Sequence, residues 1–157
     1  MEERCTAYLS LLEELQGSLE RLSELARQKI DAVRQDDLLA LDEVIKQEQA
    51  LSLSLRSLEQ RRVKLLAELG LDKVPLAGLA ARFPTQLQPR ATQTVRALQR
   101  SYESYRTASE VARSTLECNL HEIEKVIAAH GGSPAQGVGY LSPDARPPKN
   151  MQTDFRA

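Results

Sequence analysis

Apolar positions recur at helical spacing through most of the chain. From residue 3 to 33 they fall at Tyr8, Leu12, Leu15, Leu19, Leu22, Ala26, Ile30 and Val33. Steps of three and four place them on one face of a long helix. Leu9, Leu11 and Leu25 widen that face. Gly17 costs about 1 kcal/mol relative to Ala without ending the helix. In RQDDLLALDEV, Asp36 or Asp37 is a candidate N-cap for a second helix. No Gly or Pro marks this break, so the pattern leaves its exact position open.

The second segment contains KQEQALSLSLRSLEQRR, whose centre alternates apolar and small polar residues as a strand does. The longer register decides for a helix. Leu41, Val44, Glu48, Leu51, Leu55, Leu58, Arg62, Leu65 and Leu69 step by three and four. Leu51 and Leu55 lie on that stripe, whereas Leu53 falls off it by roughly 160–200° at 100° per residue. Leu53 therefore faces outward or toward another element. Glu48 and Arg62 interrupt the seam in the manner of residues that fix register or pair with a partner. Gly70 suits the C′ position of a helix cap, with Leu71 folding back on the last turn.

The linker LDKVPLAGLAARFPTQLQP is rich in Leu and Pro. Pro75 is placed to start a short helix with Leu76, Leu79 and Phe83 on one face. Thr85 and Gln88 have capping-box spacing for a third helix, and Pro89 is an equally good start. The third stripe reads Val95, Leu98, Tyr102, Tyr105, Ser109, Ala112, Leu116, Asn119, Ile123 and Val126, thickened by Leu120 and Ile127. Gly131-Gly132 stops it. The remainder, GGSPAQGVGYLSPDARPPKNMQTDFRA, has the composition of an extended or disordered segment, yet carries Tyr140, Leu141, Met151 and Phe155.

The predicted fold is all-α: an elongated, antiparallel, coiled-coil-like three-helix bundle. It has a short extra helix in the linker and an extended C-terminal tail. The bundle occupies 1–130, with helices at about 3–34, 37–69 and 87–130 and a linker at 71–88; the flexible tail is 131–157. On a rise of about 1.5 Å per residue the third helix exceeds the others by roughly 10–15 Å. Part of its stripe then lacks cover, unless the linker helix supplies it. Continuous seams also leave grooves that an amphipathic helix of another chain fits.

Composition narrows the function classes. Charged residues make up 27% and aromatics 4%, with no Trp, which suits Leu and Ala buried along helices. The net charge is −1, and no basic run is interleaved with aromatics, so the chain does not read as a nucleic-acid binder. The opening MEERC has acids where a signal peptide has bases, and no apolar run approaches a membrane span. With two cysteines in no recognisable framework, the expectation is a cytoplasmic protein without membrane insertion.

Cys118 and His121 stand one turn apart, but a zinc site needs further ligands, and Cys5 and His130 are the only other residues of these types. GVGYLS lacks the lysine and following helix of a phosphate loop. No acid, base and nucleophile converge. The reading is a non-enzyme with no catalytic residue, metal or cofactor.

The order of the pieces resembles the FlgN family of flagellar export chaperones. They are the long opening helix, the acidic turn QDDLLALDEVI, and KQEQALSLSLRSLEQRR leading to ELG. A Leu/Pro linker, the segment CNLHEIEKVI and a Tyr/Gly tail ending TDFRA follow. Pro147-Pro148 and Phe155 depart from the family's commoner tail. The resemblance implies a chaperone that binds hook–filament junction proteins (hook-associated proteins). It shields their terminal amphipathic helices and delivers them to the flagellar type III export apparatus, without nucleotide or metal. By that analogy the client surface comprises Leu116, Asn119, Leu120, Ile123, Val126 and Ile127, with Tyr140 and Phe155 from the tail. The competing expectations are a structural coiled-coil subunit or helical adaptor that self-associates, and a helical hydrolase or metal enzyme.

Overall fold

A computed structural model describes residues 1–131. Three helices account for most of it: α1 (Glu2–Arg34), α2 (Leu38–Glu68) and α3 (Gln88–Ala129). Between α2 and α3 lie two single 3₁₀ turns, Leu76–Gly78 and Ala80–Arg82. Among the described residues there is no strand.

α1 is the central element. It packs along both α2 and α3, while those two make little direct approach to each other. The cause is visible in its leucines. Leu9, Leu11, Leu12, Leu15, Leu19 and Leu22 are all almost completely buried, so α1 is apolar on two faces. α2 buries only Val44, Leu55, Leu58 and Leu66, a single narrow stripe. The bundle is therefore a core helix flanked by two others, not three equivalent partners.

The two helix ends that matter are built from backbone. At the end of α1 the Asp36 N–H donates to the Val33 carbonyl and the Asp37 N–H to that of Ala32. This is a Schellman motif with Asp36 in the left-handed conformation, φ 53°. Asp37 then caps α2, its Oδ1 accepting from the Ala40 N–H at 3.0 Å. The α2 end is the same motif with the expected glycine. Gly70, φ 68°, donates to the Ala67 carbonyl and Leu71 to that of Leu66.

The linker closes one end of the bundle. Leu76, Leu79 and Phe83 are buried, and the Phe83 ring meets Tyr8 edge-on at 6.1 Å. The capping box at Thr85 and Gln88 does not form. No side chain caps α3, and Gln88 Nε2 instead donates to the Phe83 carbonyl at 3.0 Å. Pro89, in the first turn, needs no partner for its nitrogen.

Candidate functional site

Axial register is set by pairs between helices. α2 runs antiparallel to α1: Arg62 lies by Tyr8, Arg61 by Glu14, and Lys29 by Glu48. α3 runs parallel to α1. Arg90 holds Glu13 at 3.0 Å, Ser101 reaches Glu20, and Ala112 packs with Ala26 and Ile30. α3 thus begins beside the first third of α1.

The consequence is an overhang. Above the last shared layer α1 runs only from Ile30 to Arg34, roughly 6 Å, whereas α3 runs from Ala112 to Ala129, roughly 25 Å. Beyond Ala112 none of the described residues is buried. The linker turns cannot cover this end, because they sit against Tyr8 at the other.

The overhang carries the six helical residues singled out from sequence. Ile123 and Val126 are 49% and 58% exposed. Leu116, Asn119, Leu120 and Ile127 are half-buried. Leu116, Leu120, Ile123 and Ile127 continue, at helical spacing, the face that Leu98 and Ala112 bury against α1 lower down. Tyr140, Phe155 and the tail to which they belong lie outside the described residues. Glu117, Glu122 and Glu124 flank the stripe, with Lys125 the one basic side chain between Arg113 and His130 that is not a histidine.

Two seam-breaking residues turn inward rather than toward a partner. Arg62 donates to both oxygens of Glu59 at 2.6–2.9 Å and reaches the Tyr8 hydroxyl at 3.5 Å. Burial lowers the guanidinium pKa, but the Glu59 carboxylate outweighs it, and the group stays charged. Glu48 pairs with Lys29, and its charge adds to burial in pushing the Tyr105 phenol up. Both sites tie α2 to α1.

The described residues hold little else that could do chemistry. Two shallow clefts lie between α1 and α3. One of about 360 Å³ is lined by Glu20, Ser23, Arg27 and Ser101; one of about 500 Å³ by Ile30, Ala108 and Val111. They arise because α3 presents small residues there; the first is lined mainly by polar side chains, with no cysteine or histidine in either lining. Cys118 is exposed, and no three His, Cys, Asp or Glu side chains among the described residues stand close enough to hold a metal. No helix among them is long and apolar enough to cross a membrane.

Sequence reasoning missed other exposed apolar residues, Leu38 at 76% and Leu39 at 86%. They sit at the α1–α2 tip, where the Asp36–Asp37 turn had no Gly or Pro to announce it.

A protein-family model described as FlgN protein matches residues 1–145. No curated protein matches the chain. No solved structure matches it either.

Proposed function

We propose, because this chain belongs to the FlgN family of flagellar export chaperones, that it holds its clients on the uncovered end of α3. The family serves flagellum assembly and protein transport, and its members bind flagellar hook-associated proteins. The clients of this chain are hook–filament junction proteins, whose terminal amphipathic helices lie along Leu116, Leu120, Ile123 and Ile127. Asn119 and Val126 border the contact. Bound in this way, the client's aggregation-prone apolar face stays out of water until delivery to the flagellar type III export apparatus. No catalytic step, metal or cofactor enters this function.

One observation carries the placement: the face of α3 that α1 covers as far as Ala112 continues without cover through Ile127. An apolar helix face left open at the end of a rigid bundle suits a segment that becomes ordered on binding. The acidic flank argues against the self-associating alternative. Two overhangs paired with each other would bring Glu122 and Glu124 of both copies together with Lys125 to offset them, since Arg113 is already paired with Glu117.

The test is capture of hook-associated junction proteins by full-length protein carrying Leu120→Asp and Ile123→Asp. Affinity falls by at least about thirtyfold, the loss carried by hot-spot residues of ~2 kcal/mol. Circular dichroism verifies that the variant remains helical. Undiminished capture by a folded variant rules out this surface, and a stable oligomer without client in light scattering favours the structural coiled coil.

A further inference from the structure

We infer that the client segment held on the overhang is a basic amphipathic helix, received in the corner between the open face of α3 and the acidic tip that joins α1 to α2. The inference rests on the client reading and adds the chemistry of what is held.

The corner follows from the register. The face of α3 that buries Ala112 against Ala26 and Ile30 is the one α1 covers until it ends at Arg34. The turn at 35–37 therefore stands at the foot of the open face, with the first residues of α2 beside it. Apolar exposure gathers at the same end. Of eight exposed large apolar side chains among the described residues, Leu38 and Leu39 lie on the tip and Ile123 and Val126 on the overhang. The roughly 19 Å of α3 beyond α1 takes a helix of three to four turns.

Charge names the occupant. Residues 31–46 and 113–131, which form this end, carry eight acids against four bases, whereas the other described residues carry twelve against fourteen. Two of the four bases are engaged within the end itself, Lys46 with Asp42 at 2.8 Å and Arg113 with Glu117 at 3.8 Å. That leaves Asp31, Asp36, Asp37, Glu43, Glu122 and Glu124 against Arg34 and Lys125. α1 and α3 both end here, so the negative poles of two helix dipoles add to the acids, while Asp37 caps the positive pole of α2. An acidic rim around an apolar strip repels an acidic segment and selects one with Lys or Arg beside its apolar face. Such side chains lay their stems on the strip and carry their charge out to the carboxylates.

The test follows association of a hook-associated protein with the full-length chain at low and high ionic strength. Asp36→Asn/Asp37→Asn/Glu122→Gln/Glu124→Gln removes four charges and keeps the fold. Asparagine serves both in the left-handed turn position and as an N-cap, and glutamine matches glutamate as a helix former. Association slows about tenfold at ~10 mM salt, where the Debye length is ~30 Å, and the difference closes at ~1 M, where it is ~3 Å. Glu2→Gln/Glu3→Gln/Glu68→Gln/Asp72→Asn removes as much charge from the opposite end of the bundle and leaves the rate unchanged. Leu38→Ser/Leu39→Ser, at positions 76% and 86% exposed, spares the core and lowers affinity about fivefold. Three results overturn the inference while the client reading stands: an unchanged rate in the first variant, an equal fall in both charge variants, or undiminished capture by the leucine variant. Undiminished capture by folded Leu120→Asp/Ile123→Asp sinks the client reading, and this inference with it.

Discussion

Lys29 of α1 and Glu48 of α2 form an ion pair whose side chains are 15% and 29% exposed, near the end of the bundle from which the overhang emerges. Glu48 Oε2 is buried and has no hydrogen bond of good geometry, so the Lys29 ammonium is its compensation. Tyr105 of α3 lies close enough to feel the same charge.

The pair responds asymmetrically to mutation. Lys29→Met leaves a carboxylate without its counter-charge and costs about 1–3 kcal/mol. Glu48→Leu costs less, because a lysine stem can carry its ammonium to water and the leucine completes the α2 seam. Chemical-denaturation midpoints for both singles and the double read the coupling. Equal single costs contradict this account.

Alkali destabilises the bundle through two phenols. Burial pushes the Tyr8 hydroxyl up, partly opposed by the Arg62 hydrogen bond, and burial followed by the Glu48 charge pushes up Tyr105. A tyrosine whose folded pKa exceeds its unfolded value contributes stability that is fully present below about pH 10 and is lost as pH rises through the folded pKa. Thermal midpoints of the parent therefore fall above pH ~10 more steeply than those of Tyr8→Phe/Tyr105→Phe. Tyrosinate absorbance locates the two titrations.

The turn between α1 and α2 separates two roles of adjacent aspartates. Asp36→Gly is neutral to stabilising, because the left-handed conformation costs a non-glycine residue about 1 kcal/mol while glycine adds unfolded-state entropy. Asp37→Ala removes the cap on α2 and costs ~1 kcal/mol. Denaturation curves on the two variants give opposite or clearly unequal shifts.

Legibility from sequence followed the same division between faces and offsets. Periodicity identified three helices, the Gly70 cap, and the stripe that runs past Ala112. It did not reveal how far α3 is displaced along α1. That offset depends on two 3₁₀ turns and the Phe83–Tyr8 contact, none of which has a repeating pattern. The length difference alone gave roughly 10–15 Å of uncovered helix, whereas the register leaves roughly 19 Å beyond α1. Asp36 hid a helix end because an aspartate occupies a position that glycine usually announces. The partners of Glu48 and Arg62 lie on α1, where only three-dimensional proximity names Lys29 and Tyr8.

The leucines of LSLSL differ in consequence despite identical chemistry. Leu55 is 2% exposed, and Leu55→Ala costs about 2–5 kcal/mol. Leu53 is 66% exposed, and Leu53→Gln stays within about 0.5 kcal/mol of the parent. Comparable losses at both positions in a melting assay reject the assigned register.

Gly17 offers a stabilising change. It is exposed within α1, and a Cβ there meets nothing within 4 Å. Gly17→Ala gains about 0.5–1 kcal/mol from backbone entropy, visible as a rise of a few degrees in Tm.

The central place of α1 bears on how the protein is made. α1 leaves the ribosome first, and α2 follows soon enough to cover one of its apolar faces. The other face waits for α3, whose contacts Glu13–Arg90 and Glu20–Ser101 close loops of 77 and 81 residues. Non-local closure of this kind is slow relative to a helical hairpin. During that interval the nascent hairpin displays a leucine-lined trough the length of a helix, so a protein that shelters other chains passes through a stage in which it needs shelter itself.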